Sequence, residues 1–106
     1  MSHTESVEFC GIKEDADILF DVLARTTYKK YGIIGSMIIG TDQLYIHGKN
    51  VNIIGEGIVK MMSDYADQFN NKNYAFKYED GFIIVNKGGF VHKSIDECIK
   101  EYTAKV

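Results

Sequence analysis

Hydrophobic and polar residues alternate in some stretches of this chain and recur every three or four residues in others. Alternation indicates strands with one face toward a core, whereas the spacing of three and four indicates amphipathic helices. Residues 6–12 alternate, with Val7 and Phe9 on one side. Residues 13–31 follow helical spacing, with acidic residues in the first turn, lysines in the last, and Gly32 as a stop signal. We therefore predict a strand and then a long helix.

The middle of the chain predicts a hairpin and a second helix. The nearly continuous apolar run 33–39 is typical of a covered strand, and 43–47 returns after a Gly-Thr-Asp turn. Asn52 is our predicted N-cap for the next helix, because Asn side chains accept hydrogen bonds from first-turn amides. The apolar stripe of this helix continues over four turns to Phe69.

A second hairpin and a third helix complete the pattern. Asp80-Gly81 is a strong turn signal between the alternating stretch 74–78 and the apolar stretch 82–85. Phe90-Val91 is left as a short stub of strand. Ser94 to Glu97 forms a capping box, which predicts the start of a helix. The predicted core face of this helix consists of Ile95, Cys98, Ile99 and Tyr102.

These elements predict an α+β domain that spans residues 1–106, in the order β-α-β-β-α-β-β-α. Strands joined by tight turns are antiparallel, so we expect a single, mostly antiparallel sheet of about five strands with three helices. Residues 1–5 are a predicted flexible leader, and residues 103–106 a frayed tail. The N-terminus is polar and the longest apolar run falls far short of the ~20 residues of a membrane helix. We expect a cytoplasmic protein that does not bind membranes.

The segment from Ile18 to Gly88 resembles, in outline, the Roadblock-type and longin-type modules of the profilin-like architecture. The resemblance is carried by the order of elements around the stretches Gly32–Asp42 and Phe76–Val85. It departs from those families in an extra strand at the front and in a last strand that is missing or reduced to Phe90-Val91. The resemblance implies a non-enzymatic dimerising scaffold, often one that serves small GTPases. A ferredoxin-like βαββαβ variant with an added hairpin and helix fits the same elements.

Composition narrows the class of partner. The chain is 45% hydrophobic and 25% charged with a net charge of -3, as in an ordinary folded domain. Every basic residue except Arg25 is a lysine. Because duplex readers use clustered basic residues and the forked guanidinium of Arg, this composition argues against nucleic acid as a partner.

One candidate ligand site is the loop and glycine-containing helix start at 49–60. Free amides and the positive end of a helix dipole favour phosphate or carboxylate groups, which predicts a site for an anionic small molecule. The candidate residues are Lys49, Asn52, Gly55, Gly57 and Lys60. The alternative is that the two glycines only allow the helix to approach the sheet closely. Glu56 would also repel an anion.

The second candidate site is aromatic. Three aromatic residues share one face of a predicted strand, and two more follow nearby: Tyr74, Phe76, Tyr78, Phe82 and Phe90. If a helix covers this face, the residues belong to the core. If the face is open, they form a protein interface, because aromatic residues are enriched at interface centres.

The sequence contains no recognisable catalytic or metal-binding motif. Its three histidines and two cysteines have no metal-ligand spacing, so we expect no metal and no cofactor. Of the two cysteines, Cys10 is the better candidate nucleophile because it lies on the wet face of a predicted edge strand, but no base is evident for it.

We therefore expect a small non-enzymatic adaptor or regulatory protein that acts through protein contacts, with itself as a homodimer or with another protein. The alternative is a regulator that binds a small molecule or nucleotide at the glycine-containing helix start.

Overall fold

Six strands and four α-helices form in the part of the chain that the computed structural model describes, residues 4–26, 28–38 and 40–104, with side chains as far as 101. The strands are β1 (Glu5–Cys10), β2 (Ile33–Met37), β3 (Leu44–Gly48), β4 (Tyr74–Tyr78), β5 (Gly81–Asn86) and β6 (Gly89–Ser94). The helices are α1 (Lys13–Ala24), α2 (Tyr28–Tyr31), α3 (Val51–Asp64) and α4 (Ile95–Ala104), with a 3-10 turn at Ala66–Gln68. The α+β class is confirmed, whereas the predicted numbers of about five strands and three helices are each one too few.

All six strands belong to one open antiparallel sheet in the order β2-β3-β1-β4-β5-β6. The first strand of the chain thus lies in the middle of the sheet, between two strands that follow it much later in the sequence. Glu5, assigned from the sequence to a flexible leader, begins β1 and pairs with Gly48. Residues 1–3 of that leader and residues 105–106 of the predicted tail lie outside the described residues.

The helix predicted at 13–31 is in fact two helices. α1 ends at Ala24, where the amides of Arg25 and Thr26 bond to carbonyls three residues back and the Thr26 hydroxyl donates to the Leu23 carbonyl at 3.0 Å. These bonds satisfy the last carbonyls of the helix and close it. The short helix α2 then brings Tyr31 into the core before β2 begins.

The last part of the chain departs furthest from the prediction. The stub predicted at Phe90-Val91 is a six-residue strand, β6, which pairs with β5 along its whole length. Its remaining residues are polar because β6 is an edge strand, so hydrophobicity alone did not reveal it. The Ser94 cap is confirmed, since the Glu97 amide donates to its hydroxyl at 3.1 Å.

The predicted core face of the last helix is not buried. Ile95 and Ile99 are exposed and Cys98 is half-buried, because α4 packs against β6 rather than over the main core. The predicted core side chain of Tyr102 lies outside the described residues.

The core lies between one face of the sheet and the helices α1 and α3, which pack on that same face. Strand residues of this covered face alternate with residues that point the other way. The largest fully buried side chains are Phe76, Leu19, Ile33, Leu44, Ile46, Ile54, Ile58, Met61, Met62, Ile83, Val7 and Val22. Each such side chain contributes roughly 1.5–3 kcal/mol through removal of its apolar surface from water. α3, the longest described helix, has 14 residues, and no described helix is long and apolar enough to span a membrane.

Candidate functional site

The predicted anion site at the start of α3 already holds oxygen atoms of the chain itself. Asn50, and not Asn52, is the N-cap, and its side-chain oxygen accepts from the Ile53 amide at 2.9 Å. A carboxylate oxygen of Glu5 accepts from the Val51 amide at 3.0 Å. The predicted cap was two residues late because both Asn50 and Asn52 are good N-caps by residue type. A bound anion would compete with Asn50 and be repelled by the Glu5 carboxylate.

The two glycines of this segment have a packing role. A Cβ atom on Gly57 would lie 2.5 Å from the backbone oxygen of Tyr31 and 2.9 Å from a methyl carbon of Ile33. A Cβ atom on Gly55 would lie 2.7 Å from the ring of Phe90. These distances support the alternative reading of the glycines, that they let the helix approach the sheet closely.

The other three residues of the predicted anion site do not converge. Lys49 and Lys60 are exposed and are separated by about ten helical residues, or ~15 Å at 1.5 Å per residue. Asn52 is also exposed, and its side-chain oxygen bonds to Nε2 of His92 at 2.7 Å. The predicted set is therefore spread along the helix rather than gathered around one pocket.

A depression of about 470 Å³ near this helix start is acidic. Its lining includes Glu5, Glu79 and Asp80 together with Tyr78. Among the described residues, no group of three or more His, Cys, Asp or Glu side chains has the geometry of a metal site.

The five aromatic residues of the predicted interface do not form one surface. Tyr74 and Phe76 are buried in the core, as expected for a face that helices cover. Tyr78 and Phe90 point to the same side but are only half-buried, and the Tyr78 hydroxyl bonds to Nδ1 of His92 at 2.9 Å. Phe82, by the alternation of β5, points to the opposite side of the sheet.

That opposite side, which we call the open face, is a larger candidate surface that the sequence reasoning did not single out. Neither α1 nor α3 covers it, and of the described helices α4 approaches it at the β6 edge, where Lys93 pairs with Glu101. By the alternation of the strands, the open face consists of Ser6, Glu8, Cys10, Ile34, Ser36, Ile38, Tyr45, His47, Ala75, Lys77, Phe82, Ile84, Val91 and Lys93. Its two edges carry large apolar side chains with about half of their surface exposed, namely Ile34 (52%), Ile38 (48%) and Val91 (54%).

The strand register orders the open face in rows. One row crosses all six strands and consists of Ser36, Tyr45, Glu8, Lys77, Phe82 and Lys93; we call it the central row. Glu8 on β1 and Lys77 on β4 are direct neighbours at the middle of the sheet. The open face therefore has opposite charges on the two sides of its midline and aromatic side chains beyond them.

A histidine ties three strands together on the open face. Nδ1 of His47 lies 2.6 Å from the Ser6 hydroxyl, and Nε2 lies 2.8 Å from the Ser36 hydroxyl. A neutral imidazole has one donor and one acceptor nitrogen, so one serine donates to the ring and the other accepts from it. A serine hydroxyl on a histidine nitrogen is also the minimal nucleophile–base pair. Here both ring nitrogens are engaged, which holds β1, β2 and β3 in register.

Cys10 is exposed on the open face, as predicted, but its environment does not activate it. Partial burial of the Cys10 thiol raises its pKa, and the negative charge of the neighbouring Glu8 carboxylate raises it further. Since the thiolate is the reactive form of cysteine, a raised pKa makes Cys10 a poorer nucleophile than an ordinary exposed thiol.

The buried carboxylate of Asp15 on α1 has a structural partner. It lies 2.6 Å from Nζ of Lys72, in the segment before β4. This bond raises the pKa of the Lys72 ammonium group. The pair ties α1 to the start of the second half of the sheet, and a buried charge held in this way needs no ligand to explain it.

Comparison with known proteins gives no relative for this arrangement. No protein-family model, no curated protein and no solved structure matches the chain. The class of protein that the fold defines is a single-sheet α+β domain, and its candidate site is the open face.

Proposed function

We propose that this protein is a small non-enzymatic adaptor or regulatory protein that acts through protein contacts made by the open face. The observation that carries the proposal is the asymmetry of the sheet: helices cover one face, while the other exposes Ile34, Ile38 and Val91 at its edges. Ile34 and Ile38 lie at the β2 edge and Val91 at the β6 edge, so one partner that covers the whole open face would remove all three apolar side chains from water.

The chemistry of the open face supports a specific contact rather than indiscriminate adhesion. Apolar side chains at the two edges flank polar and charged groups at the midline, and aromatic Tyr45 and Phe82 stand between them. Aromatic residues are enriched at interface centres, and charged groups select the partner and fix its orientation. We propose self-association as the primary contact, so the protein acts as a homodimer.

The strand order supports the ferredoxin-like alternative over the profilin-like resemblance. α1 and α2 connect β1 to β2, α3 connects β3 to β4, and these four strands lie in the order β2-β3-β1-β4. This is a split βαβ arrangement, to which β5, β6 and α4 are added. We infer a ferredoxin-like variant, and since function does not follow from a fold, the proposal rests on the open face.

Light scattering coupled to size exclusion, over a series from low to high micromolar protein, tests this function. We expect the average mass to rise from that of a monomer to that of a dimer as concentration increases. A mass that stays monomeric throughout the series would contradict self-association.

A further inference from the structure

The open face is self-complementary in charge. β1 and β4 are the two central strands of the sheet, and they carry Glu8 and Lys77 at the same level on either side of the midline. Consider an axis that is parallel to the strands and lies just above the open face at this midline. A rotation of 180° about that axis produces a facing copy in which the two sides of the sheet are exchanged. It therefore places a glutamate over a lysine twice in a face-to-face pair of copies. Isologous interfaces of this kind, in which residue i meets j and j meets i, are the commonest in homo-oligomers.

We propose that two copies of this chain pack with their open faces together, about a two-fold axis that runs between β1 and β4, with Glu8 of each copy facing the partner's Lys77. This inference rests on the proposed self-association and names its interface. Two stacked sheets pack about 10 Å apart with strand directions within about 30° of each other, so the face-to-face geometry is a common one.

The same rotation matches the rest of the central row. It brings Tyr45 over the partner's Phe82 and Ser36 over the partner's Lys93, because each pair is equally far from the midline. The two charged pairs then lie at the centre of the interface, the aromatic pairs lie next to them, and the Ser36–Lys93 pairs lie at its rim.

The next row gives apolar contacts at the edges. Ile38 extends the β2–β3 ladder through a bond from its amide to the Gln43 carbonyl, and this register places it at the level of Val91. The rotation sets Ile38 of one copy against the partner's Val91, and both are about half exposed in the single chain.

Helix α4 fits the same arrangement. Ile95 directly follows Ser94, the last residue of β6, and begins α4, and the rotation carries this end of β6 toward the partner's β2. Ile34 and Ile95 are both exposed in the single chain. The proposed interface would therefore bring the first residue of α4 near the partner's Ile34.

The size of the open face predicts a reversible dimer. Six strands at about 4.8 Å and five residues at about 3.3 Å give a footprint of roughly 29 by 17 Å on each copy. The two footprints together are on the order of 1,000 Å², which is the lower limit for a specific interface. We therefore expect dissociation in the micromolar range rather than an obligate dimer.

Charge reversal tests the two-fold arrangement. Glu8→Lys and Lys77→Glu each place like charges opposite each other twice in the homodimer, so each variant should dimerise about tenfold or more weakly than the wild type. An equimolar mixture of the two variants restores opposite charges across the interface, and we expect dimerisation within about threefold of the wild type. The like charges within each chain persist in the mixture, so recovery can only come from contacts between copies.

The controls separate the interface from the function. Glu56→Lys reverses a charge on the exposed side of α3, away from the open face, and should leave dimerisation unchanged. Circular dichroism verifies that each variant is folded. If the wild type dimerises but single variants and mixture behave alike, the interface is overturned and the proposed function stands. If the wild type stays monomeric at every concentration, both fail.

Cross-linking provides a second readout that does not depend on charge. With Cys10→Ser and Cys98→Ser as background, Ile38→Cys and Val91→Cys are made in separate chains. In the proposed dimer, the two copies of either variant hold their cysteines at opposite edges, five strand spacings or about 24 Å apart, so a short bis-maleimide should join one variant to the other but neither variant to itself. We expect a covalent dimer from the mixture and little from either variant alone. Equal cross-linking in all three samples, or none from a dimeric mixture, would overturn the two-fold arrangement.

Discussion

Replacement of Gly57 by alanine should destabilise the protein even though alanine is the better helix former. Gly57 lies inside α3, where alanine gains roughly 0.8–1.0 kcal/mol over glycine by propensity alone. The new Cβ atom, however, would lie 2.5 Å from the Tyr31 backbone oxygen, about 0.9 Å short of ordinary contact. A backbone oxygen in a packed segment cannot turn aside, so α3 must move away from α2 and from the start of β2.

The magnitude follows from these opposing effects. Overpacking of a well-packed core costs typically 1–3 kcal/mol, and here the clash also involves a methyl carbon of Ile33 at 2.9 Å. Because the clash is with a fixed backbone atom, we take the upper half of that range, about 2–3 kcal/mol. After subtraction of about 1 kcal/mol of helix propensity, we expect Gly57→Ala to lower the free energy of unfolding by about 1–2 kcal/mol.

Gly55→Ala is the matched control, because it lies in the same helix and gains the same propensity. Its Cβ atom would meet the ring of Phe90, a half-buried side chain on an edge strand that can rotate away. We expect a change within about 0.5 kcal/mol of zero, because displacement of the Phe90 ring offsets the gain in helix propensity. Urea denaturation of both variants measures the difference. Equal stabilisation by the two substitutions would refute the reasoning, since propensity alone would then decide.

Three further predictions concern the cap, the thiol and alkaline pH. Asn50→Ala should lower the free energy of unfolding, measured by urea denaturation, by about 1 kcal/mol because it removes the N-cap of α3. Asn52→Ala changes an exposed position and should lower it by under about 0.5 kcal/mol. The reverse order would mean that the helix is capped at Asn52. Alkylation of Cys10 at pH 8, with the other cysteine replaced, should be slower than that of a free thiol and should accelerate in Glu8→Gln, because the Glu8 charge helps to raise the thiol pKa; an unchanged rate would remove Glu8 as a cause. Burial and a hydrogen bond to the Asp64 carboxylate raise the pKa of the Tyr31 phenol above its usual 10.0. The stability that this phenol contributes is therefore complete below pH 10 and is lost as pH rises through the native pKa. Tyr31→Phe should lose less stability than the wild type between pH 9 and pH 11, and parallel curves of unfolding free energy against pH would contradict this.

The strands with strong alternation could be predicted from the sequence, but the strand order could not. The apolar positions Val7 and Phe9 revealed β1, since only a half-buried strand has that period. Nothing in the alternation indicated that β1 lies between β3 and β4, because pairing partners distant in the chain leave no local signal. β6 was predicted only as a stub at Phe90-Val91, because the rest of this edge strand has no apolar residues that would reveal its length.

The candidate sites show the same limit. The sequence assigned Gly55 and Gly57 correctly to a helix but offered both a ligand site and close packing as reasons, and the distances to Phe90 and the Tyr31 backbone favour close packing. In the aromatic stripe at 74–78, the helices cover Tyr74 and Phe76 completely, whereas Tyr78 is only half-buried. The open face escaped notice because its members come from six separate strands and meet only through the register.

The central place of β1 has a consequence for how the domain assembles. β3 and β4 have β1 as their common neighbour, so this strand is the seam between a two-stranded hairpin and a three-stranded meander. β1 and β4 can pair only when Phe9 reaches Phe76. The chain between these two residues is a long loop, and the entropy lost in closing it comes before the contacts that compensate for it. Until β1 pairs with both neighbours, each half presents two unpaired backbone edges. A peptide with the sequence of β1, added to a chain that lacks β1, would then supply the strand that joins the two halves.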